Sequence, residues 1–278
     1  MAVFETPRPL VVSIDLAVGD VRIAAGERTE TTVEVRPRDP GSEADTAAAG
    51  ATRVDCSGGR LTVRGPKPLA LFGRVGEVEV VIGLPADSEI SAAAQAGGFR
   101  ATGRLGQCRL RTANGDIRLA VTGPLVAASS FGDVTVDRVD GPAEVSAGAG
   151  AVRIGELRGT GTVRNANGDT WVGEVSGRLQ VRANGSISVD KAYTTLEAKT
   201  ARGDIRVGEA VSGSVTLATS RGRVDIGIGV GTAARLDVRT KSGEVHNFLT
   251  AADGPGESRA TAEIHAATAH GDIVIRRA

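Results

Sequence analysis

The chain has 278 residues, in which 33 lysines and arginines balance 33 aspartates and glutamates. A neutral chain with 3% aromatic residues lacks both the basic surface that nucleic acids and anionic lipids bind and the stacking platforms of single-stranded nucleic-acid sites. The length allows a sizeable core, and the hydrophobic residues are mainly Val, Ile, Leu and Ala, which suits thin layers of β-structure.

The start of the chain predicts neither a signal peptide nor a membrane span. Residues 1–9 lack a basic n-region followed by an apolar h-region. No apolar run approaches the roughly 18 residues that indicate a transmembrane helix. We therefore expect a cytoplasmic protein without direct membrane insertion. A cell-surface protein is the alternative if an export signal has been removed.

Residues 10–96 predict an irregular, β-rich N-terminal cap. Alternating apolar residues indicate strands at 10–16, 32–36, 53–56, 60–64 and 77–83. Residues 37–51 are expected to form an exposed loop, because proline and glycine interrupt the alternation. The phrase Gly19-Asp20-Val21 repeats a motif of the following region, so the cap is expected to belong to the same domain. A cap would cover the strand edges at one end of a repeat stack.

Residues 97–278 repeat one phrase nine times: a small polar residue, two loop residues, Gly, usually Asp, and β-branched residues. The glycines of the phrase are at positions 115, 132, 150, 168, 185, 203, 222, 243 and 271. Their period is near 18, with a longer last step that we attribute to an insertion at 250–259. Apolar residues alternate on both sides of each glycine, which is the period of a strand, and glycine suits a turn at positive φ.

A fixed period of this length predicts a stacked repeat architecture. We expect an all-β, parallel β-solenoid of about 18-residue coils, each rising about 4.8 Å, in one domain spanning 1–278. The general preference for right-handed crossovers favours a right-handed solenoid. Hairpins stacked in a sandwich or prism are the alternative, because they would share the same strand ends.

The phrases at 112–117, 130–134 and 200–205 resemble a bacterial β-strand-repeat family of unknown function labelled "putative adhesin". That family is similar to the toastrack domains of envelope-stress proteins, and the resemblance covers residues 10–278. It implies a right-handed, β-solenoid-like fold and no established catalytic residues. The adhesin label also implies a surface protein.

Acidic residues follow the corner glycine in six repeats, at Asp116, Asp133, Asp169, Asp204, Glu244 and Asp272. Clustered carboxylates suit calcium, but three repeats interrupt the column and the calcium-binding nine-residue repeat is absent. We expect these acids to bond to turn amides instead.

The three histidines lie at different positions around the coil, so we expect no metal or cofactor site. Cys56 and Cys108 are predicted to be buried free thiols.

No convergent catalytic groups stand out in the repeats, so we expect a protein that is not an enzyme. The leading hypothesis is a non-catalytic scaffold or protein-interaction module that binds a protein partner or itself. An adhesin-like surface binding protein and a glycan-active β-solenoid enzyme are the alternatives.

Candidate partner contacts lie where the sequence breaks the repeat. Trp171 is predicted to point outward, and an exposed tryptophan is a residue type found at interaction hot spots. Phe72 lies in the apolar loop 66–73, which could form a contact patch. Phe248 follows Asn247, which interrupts the aliphatic pattern, and precedes the 250–259 insertion.

Overall fold

The computed structural model of the chain describes residues 1–66, 76–250 and 260–278. The described residues form two compact units, Met1–Asp140 and Gly141–Ala278. Each unit is a parallel β-solenoid whose coils contribute one strand to each of two sheets, which we call sheet A and sheet B. The predicted all-β parallel solenoid is confirmed. Stacked hairpins are wrong for the repeats, because each repeat strand pairs in parallel with a strand of another coil. The single domain stays a prediction.

Unit 1 contains twelve strands and one helix within the described residues. These are β1 (Ala2–Glu5), β2 (Val11–Gly26), β3 (Glu30–Pro37), α1 (Glu43–Ala51), β4 (Arg53–Ser57), β5 (Arg60–Arg64), β6 (Val78–Pro85), β7 (Glu89–Ala96), β8 (Phe99–Leu105), β9 (Cys108–Asn114), β10 (Ile117–Thr122), β11 (Leu125–Phe131) and β12 (Val134–Val139).

Alternation decides which side chains fill unit 1. Every second residue of a strand faces inward, and stacked coils place the inward residues in columns. Leu110 of β9 pairs with Ala127 of β11 in sheet B, and Leu119 of β10 pairs with Val136 of β12 in sheet A. All four side chains are buried. The core therefore lies between the two sheets, along the length of the unit.

Strand β2 forms a complete coil on its own. Its first half pairs with β7 in sheet B and its second half pairs with β8 in sheet A. On its other side β2 pairs with β5 and β6, so the first coil in the chain lies one layer inside the unit. Antiparallel strands close the outer end, where β4 pairs with β5 and β3 pairs with β6 and β1.

The helix α1 corrects the prediction of an exposed loop over residues 37–51. The Ser42 hydroxyl accepts the Asp45 N–H at the helix N-terminus, and the Thr52 hydroxyl donates to the Ala48 carbonyl at its end. Alanine-rich sequence between two such caps favours a helix, and this local preference outweighed the preceding proline and glycine signals. Within the described ranges, no helix has the length and apolarity needed to cross a bilayer.

Unit 2 contains fourteen strands within the described residues. These are β13 (Ala143–Ala149), β14 (Val152–Leu157), β15 (Gly161–Asn167), β16 (Thr170–Val175), β17 (Leu179–Ala183), β18 (Ile187–Ala192), β19 (Leu196–Arg202), β20 (Ile205–Ala210), β21 (Gly213–Arg221), β22 (Val224–Ile228), β23 (Thr232–Ser242), β24 (Val245–Asn247), β25 (Ala260–His270) and β26 (Ile273–Arg277).

The last coils of unit 2 do not stack in chain order. In sheet B, β25 pairs with β21 on one side and β23 on the other. In sheet A, β26 likewise lies between β22 and β24. The final coil of the chain is therefore inserted one layer inside, and β23 with β24 becomes the outermost coil. We call residues 232–247 the terminal coil.

The corners of the coils require glycine because neighbouring backbones touch there. Gly132 has φ 141°, and a Cβ at this position would lie 2.2 Å from the carbonyl oxygen of Gly115 in the preceding coil. Real Cβ atoms do not approach that closely. The predicted requirement for glycine at the turn therefore has two causes, the positive φ and the backbone contact.

The two cysteines differ in burial. Cys108 is fully buried in β9, and burial raises the pKa of its thiol to about 11. Cys56 is only half-buried. Burial is confirmed for Cys108 and is wrong for Cys56, because Cys56 lies on β4, an antiparallel strand at the outer edge of sheet B.

We predict that Gly132→Ala lowers the free energy of unfolding by about 3 kcal/mol, since the added methyl meets a backbone carbonyl in a disfavoured conformation. Gly26→Ala is the matched control, because Gly26 has open space around its Cβ position and no positive φ. The control should stay within about 1 kcal/mol of wild type. Denaturant titration of both variants measures this difference, and equal effects would contradict the corner contact.

Candidate interaction surface

The terminal coil carries an open sheet edge. β23 pairs with β25, and β24 pairs with β26. Within the described residues, no strand pairs with β23 or β24 on the opposite side. An edge of this kind presents unpaired backbone donors and acceptors, which can pair with another chain.

Two sets of corner hydrogen bonds join neighbouring coils in unit 2. Hydroxyls three residues before the corner donate to the corner glycine of the neighbouring coil, at Thr200 to Gly185, Thr219 to Gly203, Thr268 to Gly222 and Thr240 to Gly271. Carboxylates one residue after the corner accept amides of the neighbouring coil, at Asp169 from Ser186, Asp204 from Arg223 and Asp272 from Glu244. The predicted bonding of corner acids to turn amides is confirmed for these three aspartates.

The hydroxyl bonds were not predicted from the sequence. The alternation placed these threonines in the inward phase, where they count as core residues. The sequence feature that could have predicted these bonds is the Thr, Ser or Asn found three residues before most corner glycines. Apolar packing alone does not require a polar residue at that position. A buried hydroxyl needs a partner, and the glycine carbonyl provides it.

Glu244 shows where this bonding ends. Its carboxylate occupies the corner-acid position of the terminal coil, but its side chain is 79% exposed. Its partner is the His246 ring, with 3.4 Å between Oε2 and Nε2. Among the described residues, no backbone amide donates to it, because no further coil lies beyond. The terminal coil therefore has a corner carboxylate, that of Glu244, but the described residues contain no further coil whose backbone amide could donate to it.

Inward-facing side chains of the terminal coil are incompletely covered. Leu236 lies beside Ile264 and Val238 lies beside Ala266 in sheet B. Ile264 and Ala266 are buried, whereas Leu236 and Val238 are only half-buried. Val245 of β24 is 41% exposed. The core of unit 2 is thus open to solvent at this layer.

Within the described residues of unit 2, the most exposed large apolar side chains lie near the terminal coil. Val230 just before it is 85% exposed, and Phe248 just after it is 70% exposed. The Phe248 ring stacks on the His246 ring, with 6.5 Å between centroids and 13° between planes. Exposed apolar side chains beside an open edge are typical of a contact surface.

The unpaired backbone groups of β23 belong to its odd-numbered residues. The Ser242 carbonyl accepts the N–H of Gly271, so Ser242 directs its backbone groups toward the neighbouring coil. Backbone direction alternates along a strand. The even-numbered residues of β23 therefore face β25, and the backbone groups of Arg235, Asp237 and Arg239 face the open side.

Trp171 points outward from β16, as the alternation predicts, but it is half-buried. Its indole N–H donates to the Asp190 carboxylate, at 3.1 Å to Oδ1 and 3.2 Å to Oδ2. The polar group of the side chain is therefore already bonded within the chain. Its role as a partner contact stays a prediction.

Phe72 and the loop 66–73 lie outside the described residues, apart from Pro66. The insertion 250–259 likewise lies outside them, apart from Thr250. Phe248 is therefore the predicted contact residue that the structure places on the open end of unit 2.

A second surface candidate lies in unit 1, in a groove of about 400 Å³. Arg22 and Arg118 line it, on either side of Arg100 in adjacent strands of sheet A. Arg22 pairs with Glu79 at 2.9 Å, and Arg118 pairs with Asp116 at 3.0 Å. Most of its charge is thus balanced locally, which makes it the weaker candidate. In the part of the chain that the structure describes, no group of three metal-ligating side chains converges.

The Toastrack DUF4097 family model matches residues 11–276 of the chain. No curated protein matches it. Its fold is similar to a putative adhesin from Parabacteroides merdae ATCC 43184, with 14% identity, TM-score 0.36 and coverage of 99% of this chain and 94% of that chain. It is also similar to a putative adhesin from Bacteroides fragilis NCTC 9343, with 13% identity, TM-score 0.38 and coverage of 100% and 95%. At such identities and TM-scores, these similarities carry no inference about function.

We predict that Asp272→Ala loosens the terminal coil, because it removes the acceptor of the Glu244 N–H at 2.9 Å. Loss of about 1 kcal/mol corresponds to roughly fivefold faster amide exchange in peptides covering 232–248. Glu244→Ala is the matched control, since that carboxylate holds no neighbouring coil. Hydrogen exchange read by mass spectrometry should separate the two, and equal exchange in both variants would argue against the corner bond.

Proposed function

The chain belongs to the Toastrack DUF4097 family, and from this premise we propose that it is a non-catalytic protein-interaction module that binds through its terminal coil. The family resemblance predicted from the glycine phrases is confirmed by the match over residues 11–276.

The observation that carries the proposal is the open edge of β23. The strand has eleven residues, one side of it is paired with β25, and the other side has no strand partner within the described residues. Strand addition supplies affinity through main-chain hydrogen bonds and selectivity through alternate side chains. Exposed Val230, Val245 and Phe248 add apolar area beside the same edge.

A binding role also agrees with how the charged groups are used. Corner carboxylates accept backbone amides and so hold the coils together. Ion pairs lower the carboxyl pKa of Glu34, through Arg36, and of Glu197, through Lys199. A general acid would instead need a raised pKa. Neither Glu34 nor Glu197 therefore has the raised pKa of a general acid.

Trp171 is the second contact that we propose, on the outer face of sheet A in unit 2. The cytoplasmic location expected from the sequence is also part of the proposal, with the cell surface as the alternative. Recovery of the protein mainly from the cell envelope or the medium would contradict the cytoplasmic location.

We predict that immobilised wild-type protein retains a specific partner from an extract of its own cells, and that Phe248→Ser reduces this retention. The side chain is 70% exposed, so its loss should remove contact area without unfolding the chain. Trp171→Ala is tested in parallel, and quantitative mass spectrometry of the bound proteins is the readout.

Phe131→Ser is the matched control, because Phe131 is 64% exposed but lies in unit 1. Retention of the same proteins by the wild type and by all three variants would contradict binding through the terminal coil and through Trp171. If only Trp171→Ala reduced the retention, the contact surface would lie on the outer face of sheet A around Trp171 instead of at the terminal coil.

A further inference from the structure

We propose that the partner of this edge is a second copy of the chain, paired β23 to β23 in antiparallel direction about a two-fold axis at Leu236. The inference rests on the proposed function, because it names the occupant of the same surface. Two-fold symmetric dimers are the commonest oligomers, and in them one surface patch meets its own copy.

Symmetry fixes the direction of pairing. A two-fold axis perpendicular to sheet B relates the edges of the two copies and makes the strands antiparallel. The same operation keeps the inner faces on the inside. The half-buried Leu236 and Val238 of each copy would then be covered by the inner face of the other. The pairing thus completes the core where the stack leaves it open.

The edges at the outer end of unit 1 are less suited to cover β23. The outermost strands there are β1 with four residues and β4 with five. β23 has eleven residues. A second β23 matches that length, and its odd-numbered residues offer the same row of backbone donors and acceptors.

The charges on the outer face of β23 select the register. In an antiparallel pair, residues directly opposite each other project from the same face and interact. With the axis at Leu236, Arg235 of each copy lies opposite Asp237 of the other, and Arg239 lies opposite Ala233. The opposite charges in the two symmetry-related Arg235–Asp237 pairs attract each other, and no like charges face each other.

Neighbouring registers are disfavoured by the same charges. With the axis at Asp237, the two Asp237 carboxylates face each other and Arg235 faces Arg239. With the axis at Val238, Asp237 faces Arg239, but Arg235 faces Lys241. Like charges directly opposite each other destabilise a strand pair. The register at Leu236 is therefore the complementary one.

Arg235 is available for this contact. Among the described residues, Arg235 forms no hydrogen bond or ion pair, although it is exposed. Asp237 contacts Arg239 at 3.1 Å and His265 at 3.5 Å, and its side chain stays 48% exposed. An exposed cation without a partner and a half-exposed carboxylate two residues away form a self-complementary pair.

Charge reversal tests the register. We expect wild type to form a concentration-dependent dimer in sedimentation velocity, weakened by salt. Arg235→Asp should weaken dimerisation about tenfold or more, because it sets two carboxylate pairs in opposition. The double variant Arg235→Asp with Asp237→Arg should restore it. Lys241→Asp is the control and should leave it unchanged, since position 241 faces Gly231, which has no side chain.

Disulfide trapping gives a second readout in a Cys56→Ser background. Opposed residues at a non-hydrogen-bonded position lie about 4.5 Å apart between Cα atoms, which permits a disulfide. Leu236→Cys should therefore form a covalent dimer on mild oxidation. Val238→Cys should not, because the two copies of this residue would be about 13 Å apart along the strands.

A strictly monomeric wild type would overturn the inference, as would loss of the dimer with Lys241→Asp but not with Arg235→Asp. A monomer that still loses a retained protein with Phe248→Ser would leave the proposed function standing, with another chain at the edge. A dimer formed in the predicted register, without any other retained protein, would support the inference and restrict the module to self-association.

Discussion

Backbone contact at the glycine corners is the constraint on which the structure depends. A Cβ on Gly271 would lie 2.2 Å from the carbonyl oxygen of Gly222, and a Cβ on Gly243 would lie 2.1 Å from that of Gly271. Each corner therefore rests directly on the next. This contact sets the register in which the threonine hydroxyls and corner carboxylates reach the neighbouring coil.

Because the corners of a unit are similar, its coils can stack on one another in more than one order. The chain uses this freedom at the end of unit 2, where β25 and β26 enter between two coils that precede them in sequence. The coil of β25 and β26 therefore has a neighbouring coil on each side. The terminal coil, residues 232–247, becomes the outermost one. The exposed Val245 and the open edge of β23 follow from this order. The order in which the coils stack thus creates the surface to which we assign the binding function.

The sequence favoured the parallel coils over stacked hairpins, because one glycine and the alternation around it, repeated at a fixed period, specify a corner and two strands. It was not sufficient for stacking order. The long step from Gly243 to Gly271 indicated an insertion, but equivalent inward columns do not encode which coil lies next to which. The helix at Glu43–Ala51 was missed because Pro40 and Gly41 precede its Ser42 cap. Phe248 was predicted as a contact from the broken pattern, whereas the open edge of β23 depends on long-range pairing.

The stacking order can be measured directly with engineered disulfides in a Cys56→Ser background. Thr216, His265 and Asp237 project from adjacent strands β21, β25 and β23 at one register position. Thr216→Cys with His265→Cys should form an intramolecular disulfide, since neighbouring strands lie about 4.8 Å apart. Thr216→Cys with Asp237→Cys should not, because two strand spacings separate them. A disulfide between 216 and 237, and none between 216 and 265, would show chain-order stacking and contradict the open terminal coil.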